Sequence, residues 1–325
     1  MTIGGRHSWR RINSDFFAQM RRVMPATGLS PPGTSEAFCI ACRHNGVIPD
    51  LADPSQLVAW QQIELAKHRL FYTLLRWNLP LRTVAEDPVH GLSFEFLADA
   101  AADVSPKVLT GHDEGKITIA LQEANDAERE RRRLAMAEPY RTLLGHFRHE
   151  VGHHYWDILV RDPNKVAECR AVFGDDSLDY AEALRRHYKH GPPPDWQEHF
   201  VSQYATTHPW EDFAETWAHY LHIVDTLEMV AASGMSVRPA IDRVGDHSAT
   251  VTFDPYFADG IDQLVEAWLP FVFAINNVNR AMGERDLYPF VIAPPVVRKL
   301  AFVHDLIHGR MWSQGVGVLS SRASG

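Results

Sequence analysis

The chain predicts an α+β fold that is predominantly helical, with a small strand and hairpin layer laid down before most of the helices. Three observations lead there. Two short stretches alternate apolar and polar residues with period two, "GLSFEFLAD" and "KITIAL". Long stretches elsewhere repeat apolar residues at helical spacing. The strands cluster early instead of alternating with helices, which favours α+β over a parallel α/β sheet.

Taken in order, residues 1–36 read as a poorly organised lead-in that closes in the Pro/Gly/Ser-rich "ATGLSPPGTSE". Residues 37–53 hold one C-x-x-C knuckle, Cys39 and Cys42, followed by a turn. From Pro54 to Trp77, Leu57, Trp60, Ile63, Leu70 and Leu74 mark a helix. "KVLTGHDEGKITIAL" predicts a hairpin turning at Asp113-Glu114-Gly115, with Ile117, Ile119 and Leu121 on one face. The run "NDAERERRRLAMAE" reads as a solvated helix face. Pro139 suits the first turn of the next helix, expected to run to Val160 with Leu144, Phe147, Val151 and Ile158 facing the core. A helix entered through Asp/Ser caps follows in "FGDDSLDYAEALRRHYKHG", then the breaker "GPPPDW", a helix over 210–230 and an apolar helical remainder. Residues 54–325 are expected to form one body.

Composition narrows the function. Hydrophobic content of 45% and charge of 22% over 325 residues are ordinary for a globular protein able to bury a sizeable core. A net charge of −9 argues against nucleic acid or an acidic membrane surface as partner. No apolar run is long enough for a membrane span, and the N-terminus has no apolar signal region. Three cysteines make no disulfide framework, so a reduced, cytoplasmic protein is expected. Nothing in the chain speaks to oligomeric state.

The densest chemistry lies in "HFRHEVGHHYW", residues 146–156. His149 and His153 flank Glu150 in the order H-E-x-x-H, which chance would produce only about 0.05 times in a chain of this make-up. Residues four apart on a helix share a face, so two imidazoles can grip one ion. Glu150, offset by one, can reach a metal-activated water as general base without being a ligand. His146 and His154 lie off that stripe and read as packing or solvent contacts. With 18 histidines against 3 cysteines, a catalytic metal would be held by imidazole and carboxylate. Such a zinc takes three protein ligands. The third has candidates in "EDFAETWAHYLH", where Glu211, Glu215, His219 and His222 share one helix face. Asp157, one turn after His153, is either a partner for a ligand ring or an ordinary helix-end acid.

At this point the chain resembles the glutamate zincins. Lethal-factor-type members read E-F-F-A-E where this chain reads Glu211-Asp212-Phe213-Ala214-Glu215, with a tyrosine seven residues before the ligand, as Tyr204 is here. That similarity implies Glu211 as third ligand, Glu215 as the carboxylate orienting a ligand imidazole, and Tyr204 as the oxyanion donor. His208 is a second candidate donor. Closer still, "RLFYTLLR", "TGHDEGKITI", "EPYRTLLGHFRHEVGHHYWD" and "GPPPDWQEHFVSQYATTHPWEDFAETWAHYLHIVDTLE" resemble the bacterial zinc-binding metallopeptidases that carry an N-terminal zinc ribbon. The resemblance implies a zincin-like body, a zinc-dependent hydrolase and a peptide or protein substrate. It also implies that "KITIAL" is the sheet edge on which an extended substrate pairs. The ribbon of that family needs more than one C-x-x-C. With only Cys39 and Cys42, even counting His44, a fourth ligand is not evident, so 37–53 is read as a degenerate ribbon remnant and one zinc per chain is expected. Alternatives left open are a non-peptide amide hydrolase with the same site, and a binding or regulatory protein with a structural zinc.

Overall fold

The computed structural model describes residues 38–98, 110–135, 138, 140–240, 242, 244, 245 and 247–310. The lead-in over 1–36 and Pro139 lie outside them. Two compact units divide the chain, Met1–His154 and Tyr155–Gly325. Among the described residues the fold is α+β and predominantly helical, with a small mixed sheet, as the sequence predicts.

In the first unit, helix α1 (Pro54–Arg76) starts at Asp53, whose carboxylate accepts the N–H groups of Ser55 and Gln56, with proline in its first turn. A four-stranded sheet runs β1-β2-β4-β3, built from β1 (Asn45–Val47), β2 (Ser93–Leu97), β3 (Gly111–Asp113) and β4 (Lys116–Ala120). Strand β2 pairs in parallel with β1 and β4, while β3 is antiparallel to β4. The hairpin turn forms where expected. Glu114 (φ 47°) and Gly115 (φ 83°) both adopt the left-handed conformation that a tight two-residue turn between twisted strands requires. Period-two alternation buries Phe94 and Phe96 on β2 and Ile117 and Ile119 on β4. Phe94 packs 5.9 Å from Phe71 of α1 and 5.6 Å, edge-on, from Phe147, so one aromatic seam holds sheet and helices together. Removing any one of these rings would cost about 3–5 kcal/mol.

Three local expectations are revised. The "KITIAL" strand is no edge: β4 lies between β2 and β3 and is paired on both sides. Among the described residues its hairpin partner β3 takes the outer position. The helix expected from Pro139 instead begins as α3 (Leu143–Trp156), because the Thr142 hydroxyl accepts the Gly145 N–H at 3.0 Å and caps it there. It ends in a π-turn over Asp157–Arg161 rather than running as α-helix to Val160. Between sheet and α3, helix α2 (Asp126–Ala135) is laced by Glu–Arg pairs three and four apart, as a solvated face should be.

The second unit is helical: α4 (Val166–Phe173), α5 (Tyr180–His190), α6 (Pro209–Ala232), α7 (Ile261–Ala281) and α8 (Pro294–Ile307), with a two-stranded hairpin of β5 (Ser236–Val237) and β6 (Ala249–Thr250). Helix α6 is its axis and buries Phe213, Trp217, Tyr220, Leu221 and Val224. Phe173 of α4 sits edge-on to Phe213 at 5.5 Å and to Phe302 of α8 at 5.7 Å. The buried Asp212 carboxylate pairs with Lys299 of α8 at 2.6 Å, and the same ammonium donates to the His199 carbonyl at 2.7 Å. The first turn of α6 is thereby tied to the helices that pack on it.

Candidate metal centre

Helix α3 carries two faces. Phe147 and Val151 are fully buried on the core side. His149, Glu150 and His153 are also largely buried, at 9%, 9% and 3% exposed, which is unusual company for a helix face without a purpose. The His149 and His153 rings lie one turn apart with centroids 4.9 Å from each other and planes at 83°. His112 of β3 stacks against His153 at 5.9 Å and meets His154 edge-on at 6.5 Å. It is held there because its Nε2 accepts the Gly115 N–H at 2.9 Å. Strand β3 therefore runs beside the histidine stripe. His154 is buried, and burial, aided by His44 and His90, holds its imidazole down at about 4, hence neutral. His146 approaches the wholly buried Glu123 at 3.3 Å. Burial alone would raise that carboxyl, but His146 and Arg141 hold it well below the carboxylate range. His146 and His154 are packing residues.

On α6 each polar residue of the first turns has a fixed partner. His208 caps the helix: its Nδ1 accepts the Trp210 N–H at 3.1 Å while its Nε2 donates to the Leu178 carbonyl at 3.1 Å. Both ring nitrogens serve the backbone. Glu211 is 2% exposed, and its Oε1 accepts the Tyr180 hydroxyl at 2.7 Å. Tyr180 opens α5 behind the Asp179 cap, its ring edge-on to His208 at 5.4 Å and to Trp210 at 6.0 Å. Glu215 accepts the Ser202 hydroxyl at 2.5 Å, and that oxygen accepts the Ala205 N–H at 3.1 Å, anchoring the turn that carries Tyr204. Burial first, then the Glu211 carboxylate and Tyr180, push the Tyr204 phenol far above its ordinary value, so it is a neutral O–H. His219 shares a 2.7 Å hydrogen bond between its Nδ1 and the Tyr288 hydroxyl and sits 4.4 Å, edge-on, from Phe290. Asp157 is buried and pairs with Arg161 at 2.8 Å within the π-turn.

Among the described residues, Cys39, Cys42 and His68 have ligand atoms within 4.8 Å of one another and a metal-binding make-up, and the buried His149–His153 pair and the buried Glu211 are two further sets of candidate ligands. The family described as "Putative zinc-binding metallo-peptidase" matches residues 56–306. The chain belongs to this metallopeptidase family. Uncharacterized proteins of Mycobacterium tuberculosis and Mycobacterium bovis are 40% identical to this chain over 280 residues, covering 86% of it and 78% of each relative. No solved structure matches it. Among the described residues no helix is long and apolar enough to cross a membrane.

Four residues that the sequence reading passed over stand next to these groups: Tyr180 on Glu211, His112 on His153, and Glu64 and His68 beside the cysteines. Tyr180 and His112 leave no mark in the sequence pattern. Glu64 and His68 do, since they repeat on α1 the four-residue spacing that singled out His149 and His153.

Proposed function

We propose that this chain is a zinc-dependent peptidase of the glutamate-ligand type, in which His149, His153 and Glu211 hold one catalytic Zn²⁺ and Glu150 is the general base. The observation that carries the reading is the pair of buried imidazoles one helical turn apart on α3, with the buried Glu150 beside them, in a chain of this family. Two histidines and a glutamate are a known donor set for catalytic zinc and leave a fourth position for water or substrate. When bound, the ion supplies Lewis acidity and lowers the pKa of its water toward neutrality.

The remaining work falls to side chains. Glu150 takes the proton of the attacking water and passes it to the leaving amine. Tyr204 donates its O–H to the carbonyl oxygen as charge develops there, worth about 3 kcal/mol for one good donor. His208 takes no part, since both its ring nitrogens are engaged with the backbone. Tyr180 holds Oε1 of Glu211 and so steadies that carboxylate. Glu215 and Asp157 fix the orientation of ligand imidazoles. The site acts in the reducing cytoplasm on peptide or protein substrates.

The test is a proteome-derived peptide library exposed to zinc-loaded wild type and to Glu150→Gln. New termini produced by the wild type alone support the reading. Equal cleavage by Glu150→Gln, or none by the wild type, overturns it.

A further inference from the structure

We propose that the chain holds a second, structural metal site, in which Cys39, Cys42, His68 and Glu64 bind one Zn²⁺ with no position left open. The sequence supplies two thiolates and then stops: His44, the nearest histidine, turns its Nδ1 to the Ile40 carbonyl at 2.7 Å and its ring edge-on to Phe71 at 4.9 Å. The missing ligands come from α1. His68 Nε2 lies 3.8 Å from Cys39 Sγ and 3.8 Å from Cys42 Sγ. Glu64 Oε2 lies 3.8 Å from Cys42 Sγ and 3.7 Å from His68 Nε2. Glu64 and His68 are four apart on one helix and project to the same side.

These separations decide between a metal site and a chance meeting of polar groups. Zinc bonds of about 2.3 Å to sulfur and about 2.0–2.2 Å to nitrogen or oxygen, set at tetrahedral angles, put neighbouring ligand atoms roughly 3.4–3.8 Å apart. The four distances lie within about 0.3 Å of what each pair of atoms would show around one zinc. Cys39, Cys42 and His68 have ligand atoms all within 4.8 Å of one another, and Glu64 is in reach of Cys42 and His68. The carboxylate is also aimed. Its other oxygen, Oε1, accepts from Lys67 Nζ at 2.7 Å and from Asn45 Nδ2 at 2.9 Å, leaving Oε2 to face the sulfurs. Such outer contacts are what orient a ligand carboxylate. Lys67 is a fully buried ammonium, and a buried charge needs compensation. Two thiolates and a carboxylate around Zn²⁺ carry one net negative charge, which the Lys67 ammonium neutralises.

Such a site ties the knuckle before β1 to the middle of α1 and so anchors the first strand of the sheet. Two cysteines, a histidine and a glutamate close the coordination shell, so this zinc has no water to activate and a structural role follows.

The site is independent of the catalytic reading, and the experiment keeps the two apart. Full-length protein is analysed for zinc as wild type, as His149→Ala and as Cys42→Ser, and each is also loaded with Co²⁺. Two zinc per chain are expected in the wild type and one in each variant. The cobalt protein of His149→Ala should keep a sulfur-to-cobalt charge-transfer band, and that of Cys42→Ser should lose it. Glu64→Gln should keep the band while zinc at this site binds roughly tenfold or more weakly in chelator competition. A wild type that holds a single zinc, lost entirely in His149→Ala, overturns the proposal. So does a cobalt protein without the sulfur band. If Cys42→Ser fails to fold, the wild-type and His149→Ala spectra decide alone.

Discussion

Tyr180 donates its hydroxyl to Oε1 of Glu211 at 2.7 Å, across 31 residues of sequence. A carboxylate with one oxygen so held presents the other in a fixed direction. Tyr180→Phe removes the donor but keeps the ring that packs on His208 and Trp210. Zinc affinity at the Glu211 site should fall by about 10–100-fold, the usual effect of deleting an outer partner of a metal ligand. Chelator competition reads this out, with far-UV circular dichroism unchanged. An unaltered affinity would show that Tyr180 does not position Glu211.

Glu150 and His149 should separate chemistry from binding. Glu150→Gln keeps shape and metal but loses the proton acceptor, so kcat should drop by about 10²–10⁴-fold. His149→Ala should lose the catalytic zinc itself. Elemental analysis beside peptide hydrolysis distinguishes the two. Loss of that zinc in Glu150→Gln would make Glu150 a ligand and reverse the roles.

Tyr204 is tested by its conservative variant. Tyr204→Phe should lower kcat by about 10²–10³-fold, the effect of one oxyanion donor, with KM little changed. A fall carried by KM instead would assign Tyr204 to substrate binding.

The second unit should be acid-sensitive through His304. Its Nε2 accepts from Arg310 at 3.0 Å and its Nδ1 lies 2.7 Å from the Tyr220 hydroxyl. Burial, with His308 and Arg310 adding to it, lowers the imidazole from its ordinary 6.5 to about 3. The unfolded chain takes up this proton near pH 6.5 and the folded chain only near pH 3, so stability is full above 6.5 and declines as pH falls toward 3. Between pH 6.5 and 4.5 the loss from this one group is roughly 2 kcal/mol. Urea unfolding at those two pH values should show it, and His304→Gln should flatten the difference. An equal pH dependence in the variant would remove His304 as the cause.

The sequence by itself determined several local features. The left-handed pair Glu114 and Gly115 turns the hairpin where the residues between the strands require it. Asp53 and Asp179 start their helices by accepting backbone N–H groups within three residues. The four-residue spacing of His149 and His153 is enough to set both rings on one face of α3. In each case the physics acts over a turn or less of chain. Pairings over long separations were decided only by the tertiary structure. That β4 is an inner strand and β3 the edge depends on which side of β4 the β2 strand takes, and period-two alternation is the same on either side. That Thr142 starts α3 depends on competition between caps close in sequence, of which the spacing of apolar residues carries no record. The side chains that meet Cys42 stand far along the chain on α1, Glu64 at 22 residues and His68 at 26. A helix face shows which residues point together, but what they point at is set by packing, and packing is a property of the whole chain.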